Sequence, residues 1–391
     1  MSTSIQSGAA ELLADLVRIE SVTPWLIPDG AGEARIATYL EAWLGSIEGL
    51  QVSLEEVEPG RPNVIARLRG AGPGPRLWLN AHSDTVGYAN WRERALEPAL
   101  DGDRLVGLGA ADDKAGCVTA MLAMRELARR RTSLAGEVVA AFTIDEEGAS
   151  IGTEDLLRRH RDEMDACLIL EPDGNERITV EHQGFGWIDV VVHGRAAHGS
   201  APDVGIDAIA NMAEVIRRLK ELDAAGFGRG NGGLSGRTVF HTGTVRGGTD
   251  YATYPATCVL GIEIGTQPGE RLSDRVAEIE AIFEDLHRAD PDFSGEVVVK
   301  IDRDPFLATG HEALLAALSD ATLAVAGRRS AEVGMNAWAD SGLTQNAGVP
   351  TLLFGPAGGN FHAPDEWVSV SEVEAAGKIV AEAVARFCRR G

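Results

Sequence analysis

The feature that most constrains this chain is a change of grammar along it. Asn63–Leu68, Arg76–Asn80, Glu137–Ile144 and Ala166–Leu170 read as short apolar strands. They are interleaved with or preceded by amphipathic helices: Glu11–Ile19, a stretch carrying Ile36, Leu40, Trp43, Leu44 and Ile47, and Gly116–Arg130. Such alternation predicts an α/β domain with a mostly parallel sheet covered by helices. From about Thr179 the order becomes β-α-β-β-α-β: strand Phe185–Val192, helix Asp207–Leu222, strands Thr238–Val245 and Thr257–Ile264, helix Leu272–Leu286, strand Glu296–Ile301. That order is the ferredoxin-like α+β unit. After Arg303 the first grammar returns, with helix His311–Ala326, strand Thr351–Phe354 and helix Val373–Cys388. The expected organisation is therefore one domain over 1–178 and 304–391, with 179–303 inserted in it. The Gly-rich loop Phe227–Gly236 lies inside the insert and reads as mobile, not as a domain linker.

Composition removes whole classes of function. The 391 residues carry 36 Lys+Arg and 59 Asp+Glu, a formal net charge of −23. That charge repels phosphates and anionic lipids, so neither nucleic acid nor a membrane surface is an expected partner. No apolar run approaches the roughly 20 residues of a membrane span. The first basic residue is Arg18, which leaves no positive leader. Cys117, Cys167, Cys258 and Cys388 are far apart and form no CxxC pair, so they read as buried thiols of a reducing compartment. The expected location is the cytoplasm.

The chemistry sits at predicted strand ends. His82-Ser83-Asp84 follows Leu77–Ala81, Asp112-Asp113 follows Leu105–Gly107, and Asp145-Glu146-Glu147 follows Val138–Ile144. Glu171 follows Cys167–Leu170, and His362 follows Thr351–Phe354. Open α/β sheets bind ligands beyond the carboxyl ends of their strands, so five segments would deliver two imidazoles and several carboxylates to one crevice. Clustered carboxylates must either take up protons or be neutralised by cations. Mixed imidazole and carboxylate donors suit zinc, and also cobalt or manganese. Two His and three carboxylates allow one carboxylate to bridge two divalent ions roughly 3.5–4 Å apart. Gly107-Leu108-Gly109 lacks the third glycine of a dinucleotide fingerprint. Ser83 and Ser200 lack a nucleophile elbow. His182, His193 and His241 read as structural or solvated.

These residues resemble the M20 metallopeptidase/deacylase family, the group of acetylornithine deacetylase, succinyl-diaminopimelate desuccinylase, aminoacylase-1 and glutamate carboxypeptidases. The resemblance is carried by His82-Ser83-Asp84-Thr85-Val86, Gly107 to Lys114, Asp145-Glu146-Glu147, Glu171-Pro172, Gly348-Val349-Pro350-Thr351 and His362-Ala363-Pro364-Asp365-Glu366-Trp367. It implies a zinc-exopeptidase-like catalytic domain and a lid that dimerises. It implies that His82 and His362 each bind one metal, that Asp112 bridges them, and that Glu147 and Glu171 complete the sites. Glu146 would be the general base, and Asp84 would orient His82. Gly194-Arg195-Ala196-Ala197-His198-Gly199-Ser200 resembles the family's lid motif, which implies that His198 stabilises the oxyanion in the partner subunit's site.

The chain also departs from the family. Gly265 stands where many members carry an Arg that clamps the substrate carboxylate, and Leu108 stands where many carry another Arg. The family's Asn is replaced around Asp250–Pro255, leaving Arg246 as the candidate for a substrate carboxylate. The expectation is a homodimeric di-zinc hydrolase of a small N-acyl amino acid. The alternatives are a dipeptidase or carboxypeptidase, an amidohydrolase acting on a non-amino-acid metabolite, or a silent metal- or ligand-binding relative.

Overall fold

The structure, a computed structural model, describes residues 6–88, 91–130, 134–225 and 233–389. Residues 227–232 of the Gly-rich loop lie outside them. The chain divides into two compact units. One comprises 1–180, 308–333 and 339–391, the other 181–307 and 334–338. The short piece 334–338 has no signal in the alternation pattern.

In the first unit, four strands form a parallel centre in the order Glu137–Thr143, Arg76–His82, Ala166–Ile169, Thr351–Leu353. Leu77 pairs with Val138 on one side and Ala166 on the other. Arg61–Arg69 and Gln51–Glu58 extend the sheet antiparallel beyond Glu137–Thr143. Val138 to Phe142 and Leu77 to Leu79 are fully buried. Continuous burial along a strand means both sheet faces are covered, which is why these runs are unbroken and not alternating. Helices Ala9–Val17, Lys114–Arg129, Glu312–Ala326 and Val370–Phe387 pack against one another, and Lys114–Arg129 packs on the Arg76–His82 strand. Lys114–Arg129 begins at Asp113, whose carboxylate caps Gly116 N.

One strand assignment needs correction. The Leu105 strand spans Arg104–Val106 and belongs to a separate four-stranded antiparallel sheet with Ala99–Asp101, Trp367–Ser369 and Gly358–Gly359. Asp112 therefore reaches the crevice from this small sheet. Strands of two or three residues cannot show a period, so the pattern alone could not separate the two sheets.

The second unit is a four-stranded antiparallel sheet in the order Val239–Gly247, Thr257–Thr266, Gly184–His193, Ser294–Arg303. Gly184–His193 alternates buried and half-buried residues along its length. Ile188, Val190 and Val192 meet Leu260, Ile262 and Ile264 in a core with Met212, Val215, Ile279 and Phe283 of helices Ala208–Ala225 and Leu272–Ala289. This is the expected two-layer unit, with one apolar face per strand. No helix among the described residues is long and apolar enough to cross a membrane.

Candidate metal centre

His82 ends the Arg76–His82 strand and is buried. Its Nε2 lies 3.0 Å from Asp112 Oδ1 and 3.8 Å from Glu171 Oε1. The other oxygen of Asp112, Oδ2, lies 3.2 Å from His362 Nε2. That same Nε2 is 3.0 Å from Glu147 Oε1. One carboxylate thus faces two imidazoles, each of which also faces a second carboxylate. Asp113 is close enough to His82 and Glu171 to join a donor set. Its oxygens, however, already accept Gly116 N and His82 N, so we assign it to the helix cap.

The electrostatics follow from the crowding. Burial alone would raise the Asp112 pKa, but hydrogen bonds from His362 and His82 hold it well below the usual range. Its contacts with Asp112 and Glu147 lift His362 to about 11. His82 is raised because Asp112 and Asp84 outweigh the opposing effect of burial. Burial pushes Glu171 up to about 8 and also raises Glu147 and Glu146, with neighbouring carboxylates adding to all three. The ion-free cluster therefore holds protons where cations would remove them. Two buried atoms, His82 Nδ1 and Glu147 Oε1, make no hydrogen bond of good geometry. The imidazole Nε2 atoms of His82 and His362 and the oxygens of Glu171 and Glu147, gathered about the shared Asp112 carboxylate, are a donor set that fits two divalent cations.

Asp84 lies 3.4 Å from His82 Nδ1, too long and poorly aligned for a strong orienting hydrogen bond. Its carboxylate instead accepts the backbone N–H groups of Glu146 and Glu147, each at 3.1 Å. Asp84 thus fixes the segment that carries both glutamates. The turn beyond is held by Asp145, in the left-handed region at φ 65. Its carboxylate accepts Ala149 N, the Thr23 hydroxyl and Arg61 Nη2, and Arg61 also pairs with buried Glu33. Asp340, raised to about 6 by burial, accepts from Thr153, which in turn accepts from Asn80 of the His82 strand. Arg61, Glu33 and Asp340 carried no signal in the sequence, because their partners are distant in the chain. Two aromatic side chains near these segments are each 44% exposed: Trp25 packs on Gly148, and Phe361 lies against Gly358.

The remaining candidates lie in the second unit. His198 sits on an exposed loop bridged to Thr253. Its Nδ1 accepts Ser200 N at 3.2 Å, so in the neutral ring the proton resides on Nε2, the donor an oxyanion needs. Arg246 is exposed on the outer strand Val239–Gly247, opposite Val259. At Gly265 a Cβ would stand 2.5 Å from Gln183 Oε1, so the glutamine side chain occupies the space over this glycine. Gln183 is buried and donates to the carbonyls of Ser235 and Arg237. Leu108, in the other departure from the family pattern, is packed with Val22 and Ala95. All four cysteines are free and buried.

A parallel sheet whose strand ends and loops gather two imidazoles around one shared carboxylate defines a class, the metal-dependent hydrolases. Comparison with known proteins agrees. Residues 78–386 match peptidase family M20/M25/M40, and the chain belongs to that family, whose members are metal-binding hydrolases acting on C–N bonds. Carboxypeptidase G2 of a Pseudomonas species is 29% identical over 57% of this chain, which spans about half (53%) of that relative. An N-formyl-4-amino-5-aminomethyl-2-methylpyrimidine deformylase from Bacillus subtilis is 24% identical, with 99% and 98% of the two chains covered. Acetylornithine deacetylase of Aliivibrio fischeri is 26% identical over 91% of this chain and 92% of its own. Among solved structures, a dinuclear metal-binding M20 peptidase from Bacillus subtilis superposes with TM-score 0.72 at 17% identity, covering 97% of each chain.

Proposed function

We propose that the protein is a two-metal amide hydrolase that removes the acyl group from a small N-acyl amino acid, in the manner of acetylornithine deacetylase. The observation that carries this reading is Asp112, with one oxygen on each of two imidazoles, and the buried Glu146 close enough to feel the charges of His82, Glu171 and Glu147. His82, Asp112 and Glu171 would hold one ion, and His362, Asp112 and Glu147 the other. Zinc is the first choice for this nitrogen and oxygen donor set, with cobalt or manganese as substitutes. When bound, such ions acidify water and polarise a carbonyl. Glu146 takes the proton from the attacking water and returns it to the leaving amine. Burial, with the carboxylates of Asp340, Glu171 and Glu147 adding to it, raises its proton affinity in the ion-free centre, which suits a group that must hold a proton between two steps. Asp84 keeps Glu146 and Glu147 on their separate tasks by fixing both backbone amides.

His198 would donate from Nε2 to the oxyanion of a partner subunit, in a cytoplasmic homodimer joined through the second unit. Arg246 would meet the substrate carboxylate. Two further readings have specific support. The likeness to carboxypeptidase G2 favours peptide cleavage. The glycine at 265, which offers no side chain to clamp a carboxylate, and the likeness to the deformylase favour an amide outside amino-acid metabolism.

The test is a hydrolysis panel of N-acetyl, N-succinyl, N-benzoyl, N-formyl and dipeptide substrates with zinc, cobalt or manganese, run beside Glu146→Gln. The variant should keep its metal and lose roughly 10²–10⁴-fold in kcat. Unchanged turnover in the metal-loaded variant would remove Glu146 from the mechanism. A strict monomer at full activity would remove the trans role of His198.

A further inference from the structure

We propose that Glu366 is a positioning residue of the metal centre. Its carboxylate locks the backbone that carries Asp112 to the segment that carries His362, and so sets the spacing at which one carboxylate can serve two ions. The proposal rests on the two-metal reading of the site.

Glu366 is 1% exposed. Its Oε2 accepts Gly109 N at 2.9 Å, and its Oε1 accepts Ala111 N at 2.9 Å and Asp112 N at 3.0 Å. Its own carbonyl accepts Gly107 N at 2.9 Å. The loop 107–112 therefore wraps one buried carboxylate with converging backbone N–H groups, an anion nest filled from within the chain. Gly109 makes the wrap possible: it has φ +67, and a Cβ there would lie 2.4 Å from Thr85 Cγ2. The small sheet continues the same seam, with Trp367 paired to Val106 and Ser369 to Arg104.

The last N–H in this nest belongs to Asp112, whose two oxygens reach His82 and His362. His362 is four residues before Glu366, in a turn where Asn360, His362 and Asp365 all have positive φ. That turn is the loop between the paired strands Gly358–Gly359 and Trp367–Ser369, and the Glu366 carboxylate ties its end directly to the Asp112 backbone. Three N–H donors require an acceptor with no hydrogen of its own. A carboxamide would turn its NH2 toward at least one of them, which breaks a contact without changing the size of the side chain.

The experiment titrates metal-stripped protein with cobalt(II), following the visible absorption bands, for the wild type, Glu366→Gln and Glu366→Asp. Circular dichroism and thermal unfolding are recorded on the same samples. The wild type should take up two ions. Glu366→Gln should bind the first as the wild type does and the second about 10–100-fold more weakly, the usual cost of losing a support behind metal ligands. Glu366→Asp keeps the charge but is one methylene short, and should fall between them. If Glu366→Gln does not fold, Glu366→Asp is judged by the same split between first and second ion. Two ions bound with wild-type affinity by the folded variant overturn the proposal. So does equal weakening of both ions in step with a lowered unfolding temperature, which marks a merely structural role. A wild type that binds fewer than two ions defeats the two-metal reading itself, and the proposal with it.

Discussion

Among the described residues of the catalytic unit, five other than glycine have positive φ: Asp145, Ser150, Asn360, His362 and Asp365. All five fall in the two turns that carry Glu146, Glu147 and His362. In the inserted unit, the described residues with positive φ are glycines, Gly236, Gly248 and Gly269. Charge is divided in the same way. The catalytic unit buries Glu33, Asp84, Asp113, Lys114, Asp145, Asp340 and Glu366, while the inserted unit buries Glu181 at its start and leaves the ion pairs on helix Ala208–Ala225 in water. The inserted unit follows the ordinary rules of a two-layer fold. The catalytic unit breaks them only where side chains must be aimed. Left-handed backbone and buried charge persist when the surroundings over-determine them, so their supports should be the most sensitive positions in the protein.

Asp145→Ala should therefore have the largest effect on stability. It places a Cβ residue without a local hydrogen bond in the left-handed region, and it removes the acceptor of Arg61, Thr23 and Ala149 N. Breaking a buried ion-pair network in this way costs about 3–5 kcal/mol. Urea unfolding should show that loss, with activity falling alongside because Glu146 and Glu147 are the next residues. Asp145→Asn tolerates the same backbone and keeps most of the hydrogen bonds, so it should cost less than half as much. Equal losses in both variants would mean that backbone conformation is not what Asp145 secures.

The next effect is a pH dependence confined to metal-stripped protein. His362 is held up to about 11, Glu171 is pushed to about 8 and Asp340 to about 6. Each binds its proton more tightly in the folded chain than in the unfolded one. The stability they supply is present below their unfolded pKa values and is lost as pH rises through the folded ones. The unfolding midpoint of stripped protein should fall between about pH 5 and pH 9. In loaded protein, cations replace the protons of His362 and Glu171, so the curve should be flatter and metal affinity should rise with pH. Calorimetry with and without a chelator reads both. A midpoint that rises with pH in the stripped protein would contradict this electrostatic picture of the centre.

The division between the units also explains what the sequence could reveal. The strand-end residues His82, Asp84, Glu146, Glu147 and Glu171 were legible because each follows a continuous apolar run within a few residues. The inserted unit was legible because its strands and helices are long and periodic. Gln51–Glu58 was missed because it is polar and mostly exposed. The small sheet was missed because Arg104–Val106 and Trp367–Ser369 are three residues each and pair across more than half the chain. The supports Arg61, Glu33 and Asp340 are single residues whose partners lie elsewhere in sequence, and no local pattern points to them. Glu366 stood in a recognised motif, but only its contacts reveal that it faces inward.

The smallest effect belongs to the inserted unit's surface. Arg217 reaches Glu214 at 2.6 Å and also contacts Glu221, and it holds the Glu214 carboxyl down to about 2. On distance alone this triad looks stronger than the 3.0 Å contact between Arg61 and Asp145. Exposure reverses the ranking. Both partners stand in solvent, where water and salt screen the attraction and two long side chains lose freedom on pairing. Arg217→Ala should leave the unfolding midpoint at physiological salt unresolved from wild type, and any difference at low salt should vanish as salt is added. A loss approaching that of Asp145→Ala would show that contact distance outweighs burial here, and the contrast between the two units would fall.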